Sequence, residues 1–222
     1  MKLIKSEDFS INPQTIIRER YIGNSKSKIL IAENFFNNPE FIREYALNAY
    51  YVDEKTEYKL GNVNDKTHWY THRFAMNELH YREFLSWAKK TVFEDRNCQH
   101  ENYPFQFSFQ YYEKIGKCIP HVDNTNYAGL VPLNIGSELS GTSSGTGFYR
   151  YKKTGDEMVT CGSYRHYSIS SSQLTDFEKY HIEYHKFNTF IMYEGRLLHN
   201  GEADYSKWTS ENKRLTFNFF SW

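Results

Sequence analysis

Between positions 105 and 112 the chain reads FQFSFQYY, so that Phe105, Phe107, Phe109 and Tyr111 alternate with Gln106, Ser108, Gln110 and Tyr112. A period of two commits this stretch to a β-strand with two chemically different faces. The chain keeps that commitment to its end. Short apolar runs at 118–123, 127–133, 146–151, 187–193 and 214–220 are separated by Gly, Ser, Asn and Asp, and each predicts a strand. Most gaps between them are too short or too rich in Gly and Ser to carry a crossover helix, which excludes a wholly parallel α/β sheet. A sandwich or jelly roll is the expected outcome.

The preceding part of the chain has mixed character. SKILIA at 27–32 predicts a strand. The helix signal that follows is complete: Asn38 as N-cap, Pro39 at the first helical position, Glu40 in the first turn, then Phe41, Ile42, Tyr45, Ala46 and Ala49 at helical spacing. A second helix is expected over 77–94, with Tyr81, Phe84, Leu85, Ala88 and Val92 on one face and Arg82, Glu83, Lys89 and Lys90 on the other. The fold class is therefore α+β and β-rich, with residues 1–103 as a mixed buttress and 104–222 as a jelly-roll core in a single domain. Two long connections, 135–145 and an insertion at 155–186 with a helix expected over 173–185, should shape a pocket mouth.

Composition narrows the functional classes. The 27 basic and 27 acidic side chains cancel, so no long-range field gathers phosphate backbones or anionic lipid, and nucleic-acid partners are not expected. MKLIKSEDFSINPQ offers no signal-peptide core, and no apolar run reaches the roughly 18 to 20 residues of a membrane span. A soluble, cytoplasmic protein is expected. Cys98, Cys118 and Cys161 are odd in number and lack CxxC spacing, which reads as free thiols.

One constellation carries chemistry. His121 and Asp123 form an H-x-D, and on an extended chain residues two apart aim the same way. The tripeptide alone is weak, since about 0.3 copies are expected by chance at this composition. His199, after the apolar run FNTFIMYEGRLL, is the natural third ligand from a distant strand. Two imidazoles and a carboxylate on one face of an octahedral ion leave adjacent positions open, the arrangement of non-haem Fe(II) oxygenases. Farther on, Arg214 opens RLTFNFF with Thr216 on the same face, and a guanidinium beside a hydroxyl makes a clamp for a carboxylate such as the far end of 2-oxoglutarate. Tyr112 could add a phenol donor to that carboxylate, with Tyr111 as the alternative.

With FQFSFQYYEK, H-V-D at 121–123, GLVPLN, GTGFYRYK, His199 and R-L-T taken in order, residues 105–222 resemble the Fe(II)- and 2-oxoglutarate-dependent dioxygenases of the double-stranded β-helix fold, nearest the prolyl-hydroxylase-like branch. The resemblance implies iron ligation by His121, Asp123 and His199, and co-substrate anchoring by Arg214 and Thr216. It also implies hydroxylation of a peptidyl, amino-acid or small-molecule substrate, coupled to decarboxylation of 2-oxoglutarate to succinate. Asp123 stands where related halogenases carry a small residue, which favours hydroxylation. The family pattern is interrupted by Pro132, and the 155–186 insertion has no counterpart in it.

Rival readings stay open at this level. His181, Glu183 and His185 in HIEYH form a competing cluster, read as part of a solvated or lid helix, and His68 and His72 read as packing or substrate-loop residues. Cys118 reads as structural. A non-catalytic jelly-roll module for a carbohydrate or small metabolite is the alternative function, and a cupin-like metal enzyme without 2-oxoglutarate a third.

Overall fold

The structure, a computed structural model, describes residues 6–49, 52–53, 69–75, 82–92, 105–115, 120–123, 125–139, 144–159, 174–203, 208 and 212–221. Two antiparallel sheets face each other. The larger is built from β1 (Ile16–Ile22), β2 (Ser27–Glu33), β3 (Val52–Asp53), β4 (Trp69–Ala75), β5 (Phe105–Ile115), β6 (Tyr127–Pro132), β9 (Phe190–Glu194) and β11 (Arg214–Ser221), in the order β1-β2-β9-β6-β11-β5-β4-β3. The smaller contains β7 (Gly145–Tyr151), β8 (Phe177–Tyr184) and β10 (His199–Glu202), in the order β10-β7-β8. From β5 onward the chain crosses repeatedly between the sheets: β6 lies in the larger, β7 and β8 in the smaller, β9 in the larger, β10 in the smaller and β11 in the larger. This is the winding of a jelly roll.

The aromatic residues explain why the larger sheet is two-faced. On β11, Leu215, Phe217 and Phe219 enter a core with Phe109, Phe190, Met192, Leu30 and Val131, which also takes Ile42 and Ala46 of α1 (Pro39–Asn48) and Phe84 and Ala88 of α2 (Arg82–Val92). Phe9, Phe35 and Phe36 fill the space between, at ring separations such as 4.9 Å for Phe35–Phe190 and 5.8 Å for Phe9–Phe217. Fully burying a ring of this size contributes about 1.5–3 kcal/mol, so these contacts hold the helices to the sheet. The other face of β2 and β9, through Ile29, Ile31, Ile191 and Tyr193, packs with Phe148 of the smaller sheet.

Several sequence expectations change. Helix α1 begins as expected, with the Asn38 side chain accepting the Phe41 N–H at 3.4 Å and Pro39 in the first turn. The second helix is described over Arg82–Val92, the rest of the expected 77–94 lying outside the described residues; it buries Phe84 and Ala88 and leaves Glu83 and Lys90 exposed. No helix spans 173–185: a single 3-10 turn at Leu174–Asp176 leads into β8, which pairs with β7 along its whole length. Phe177, Tyr180, His181 and Tyr184 recur at helical spacing, and pairing with β7, with a register shift at Phe148/Tyr149, overrides that local signal. The expected strand at 118–123 reduces, in its described part, to one bridge at His121; Pro120 has no N–H to give a ladder. The run at 187–193 becomes a strand only from Phe190. Residues before 104 do more than supply helices, since β1 and β2 extend one edge of the larger sheet and β4 and β3 the other. Strand β1 escaped the sequence reading because it is an exposed, charge-rich edge. Cys98, Cys118, Cys161 and His68 lie outside the described residues, and His72 is on β4. No helix among the described residues is long and apolar enough to cross a membrane.

One buried carboxylate ties the β1–β2 turn to the smaller sheet. Glu157 accepts the N–H groups of Asn24 at 3.0 Å and Ser25 at 2.9 Å, the Ser25 hydroxyl at 2.9 Å, and both Nε and Nη2 of Arg150. Burial alone would raise its pKa, but these donors outweigh burial and bring it down from 4.5 to about 2. A carboxylate held below its unfolded value stabilises the fold above the unfolded pKa, and that stabilisation is lost as pH falls from about 4.5 toward 2. Glu157→Gln should therefore destabilise the protein by about 2 kcal/mol at neutral pH, allowing for screening. In urea melts across pH, the gap between wild type and variant should close on acidification; a gap independent of pH would contradict this account.

Candidate metal centre and anion pocket

The segment carrying His121 meets β10 through a reciprocal pair of backbone hydrogen bonds: His121 N–H to His199 C=O and His199 N–H to His121 C=O, both 2.9 Å. Residues paired directly across an antiparallel bridge project to the same face, so the bridge sets the imidazoles side by side, with ring centroids 4.6 Å apart. Asp123, two residues on, aims the same way, and its N–H donates to the Gly195 carbonyl at 2.9 Å. Gly195 is required by this approach: a Cβ there would lie 2.2 Å from Thr125 Oγ1 and 2.6 Å from the Thr125 carbonyl oxygen.

The outcome is a compact donor set. Asp123 Oδ1 is 3.6 Å from His121 Nε2, Asp123 Oδ2 is 3.2 Å from His199 Nε2, and one ligand atom from each residue lies within 4.8 Å of the others. His199 is nearly buried, and its Nδ1 donates to the Leu197 carbonyl at 2.9 Å. That bond orients the ring and makes Nε2 the atom turned toward Asp123 and toward any cation held there. Burial works against the Asp123 carboxylate, but His199 and His121 outweigh it and hold the carboxyl well below the usual carboxylate range. A charged carboxylate and two imidazoles converging on one point suit a divalent first-row metal. The donor chemistry thus fits the iron expected from the sequence.

The same cavity, of about 110 Å³, reaches β11. Arg214, Thr216, Asn218 and Phe220 form its wall there, while Leu215, Phe217 and Phe219 face the aromatic core. The Asn134 side chain fixes the start of the strand, accepting the Leu215 N–H at 2.7 Å and donating to the Lys213 carbonyl at 2.8 Å. Arg214 is only 4% exposed, and its Nε donates to Ser144 Oγ at 3.4 Å. The space before the guanidinium is kept open by Gly201, two residues beyond His199, whose absent Cβ would sit 3.8 Å from Arg214 Nη2. Thr216 donates its hydroxyl to the Gln110 carbonyl at 3.5 Å, and Asn218 Nδ2 donates to Gln110 Oε1.

The structure therefore brings together His121, Asp123, His199, Arg214 and Thr216. Tyr112 pairs in register with Arg214, and Tyr111 with Leu215. The rival cluster comes apart: His181 lies 3.4 Å from Glu183 in partial exposure, whereas His185 is buried beside Arg214. Sequence reasoning missed Gln110, Thr146, Tyr193, Gly201 and Asn218 as cavity residues. Asn218 was legible, because it continues the alternation of Arg214 and Thr216. Gln110 was legible in the same way, two residues from Tyr112, and Thr146, Tyr193 and Gly201 depend on sheet pairing.

Replacing Asp123 or His199 with Ala should lower Mn2+ affinity roughly 100-fold or more, measured by titration calorimetry, with little change in thermal stability, since the bridge between the segments is backbone. Undiminished affinity in both variants would remove the triad as a metal site.

No protein-family model and no curated protein matches this sequence. Solved structures similar to it in fold include prolyl hydroxylases and a protein with 2-oxoglutarate bound. A prolyl hydroxylase from Trichoplax adhaerens, in complex with a hypoxia inducible factor peptide, is 14% identical over 94% of this chain and 83% of its own, with a TM-score of 0.47. HygX from Streptomyces hygroscopicus, with nickel, 2-oxoglutarate and hygromycin B bound, is 11% identical over 88% of this chain and 84% of its own, at 0.49. A prolyl-4-hydroxylase from Pseudomonas putida is 9% identical over 93% of this chain and 91% of its own, at 0.36.

Proposed function

We propose that the protein is an Fe(II)- and 2-oxoglutarate-dependent oxygenase that hydroxylates a peptidyl, amino-acid or small-molecule substrate. One observation carries the reading: a two-histidine, one-carboxylate donor set and a buried arginine line the same small cavity. Neither half would be distinctive alone. Together they offer a cation at one site and a carboxylate clamp at another, which is what a 2-oxo diacid needs at its two ends.

His121, Asp123 and His199 would hold the iron, with the Leu197 carbonyl orienting His199. When bound, Fe(II) supplies the oxidative chemistry, in which 2-oxoglutarate, dioxygen and a C–H bond become succinate, carbon dioxide and an alcohol, one oxygen atom entering each organic product. Arg214 binds the distal carboxylate through its guanidinium fork, and Thr216 lies beside it. The register of β5 and β11 supports Tyr112, the partner of Arg214, as the further contributor. The cavity is small enough that a bound co-substrate would exclude most water, which strengthens the guanidinium–carboxylate attraction.

Mixing the protein anaerobically with Fe(II) and 2-oxoglutarate should give a weak visible charge-transfer band, absent from Asp123→Ala. No band under any condition, with no succinate released in air, would leave the jelly-roll binding module as the better reading. Turnover unaffected by Arg214→Ala would point instead to metal chemistry without 2-oxoglutarate.

Gly201 gives a separate check. Gly201→Leu fills the space before Arg214 without touching a proposed ligand, so 2-oxoglutarate binding should fall at least about tenfold while Mn2+ affinity is retained. Unchanged 2-oxoglutarate affinity would argue against Arg214 as its anchor.

A further inference from the structure

The sequence singled out HIEYH as a rival cluster, and its last residue finds a different place. His185 follows β8, its N–H donates to the Ser144 carbonyl at 2.8 Å, and its ring is buried between β7 and β11. Nδ1 lies 3.4 Å from Arg214 Nη2 and 3.3 Å from Ser144 Oγ, and Nε2 lies 3.2 Å from Thr146 Oγ1. These contacts determine where the ring proton sits. A guanidinium only donates, so Nδ1 must present its lone pair to Arg214. Ser144 accepts from Arg214 Nε and turns its own proton toward the same Nδ1. The ring proton is then on Nε2 and is donated to Thr146 Oγ1. With that lone pair of Thr146 engaged, its hydroxyl proton is available to the cavity that Thr146 lines.

We infer that His185 is a positioning residue of the anion site: with its proton on Nε2, it fixes the Arg214 guanidinium from one side and turns the Thr146 hydroxyl into a donor toward a bound carboxylate. The inference rests on the co-substrate reading and adds a donor to it, so that the distal carboxylate meets Thr146 as well as Arg214. The charge state agrees with the geometry, because burial, reinforced by the positive charge of Arg214, holds the imidazole pKa well below its ordinary value. His185 touches neither the triad nor the reacting atoms. It acts through Arg214 and Thr146.

Two measurements on the full chain decide the matter. Long-range proton–nitrogen NMR of the ligand-free protein, with His185→Gln used to assign the resonance, should show His185 protonated at Nε2 alone. A ring protonated at Nδ1, or at both nitrogens, at neutral pH would overturn the inference whether or not the protein binds 2-oxoglutarate. In the presence of Mn2+, Thr146→Val should weaken 2-oxoglutarate about tenfold and His185→Leu at least as much, since it also releases Arg214, and the double variant should lose little more than His185→Leu, because the Thr146 donor is already lost. Mn2+ affinity should stay as in wild type, which separates loss of the anion site from general unfolding. Fully additive losses would overturn the coupling between His185 and Thr146. Wild-type protein that binds Mn2+ but no 2-oxoglutarate would remove the functional reading, while the NMR result still judges the proton assignment.

Discussion

The reciprocal backbone bridge between His121 and His199 is the constraint on which the proposed metal site depends. It joins two segments far apart in the chain and sets two imidazoles on one face without help from their side chains. Asp123 then needs only the extended geometry of its segment and the Gly195 carbonyl to join them. Because the backbone bears this work, the donors are arranged before any cation arrives. A metal entering such a site spends little of its binding energy on ordering ligands, which is the condition for high affinity with only three protein donors.

A second constraint comes from β11. Its alternation divides the interior in two: Leu215, Phe217 and Phe219 lock into the aromatic layer under the helices, and this forces Arg214, Thr216 and Asn218 into the cavity. A slip of one residue in register would reverse every one of them, driving three polar groups into an apolar core at a cost of several kcal/mol. The aromatic core is thus a specificity device for the anion pocket. Packing at Phe217 decides where the guanidinium of Arg214 goes, although the two face opposite ways.

The same logic explains what the sequence disclosed. Strands β5, β6, β7 and β11 and helix α1 were legible because each carries a local signal, an alternation or a cap that needs no partner to interpret. Arg214 and Thr216 were legible as same-face residues of β11, whereas His121, Asp123 and His199 were picked out by residue type and the H-x-D spacing, not by a regular element around them. Strand β8 was not, since its aromatic spacing is helical and only pairing with β7 overrides it. Strand β1 was not, because an edge exposed on both faces has no apolar stripe to betray it. Gly201 and Thr146 entered the cavity through pairing of β10 with β7, a long-range fact that no local window contains. His185 was read in the wrong company for the same reason: its neighbours in sequence suggested a surface cluster, whereas its neighbours in space are Arg214, Ser144 and Thr146.

That spatial company has a physical logic of its own. A carboxylate at position 185 would pair with Arg214 directly and compete with any anion entering the cavity, as a resident counter-ion of full charge. A purely apolar residue would take away the acceptor that Nδ1 offers to Arg214 Nη2. A neutral imidazole does neither. Its lone pair orients the guanidinium, its dipole leaves the positive charge uncancelled, and its remaining N–H passes on to a threonine that faces the cavity. Burial is what keeps the ring neutral, so the tight packing of β8 against β7 contributes to the electrostatics of the pocket as much as to the stability of the sheet.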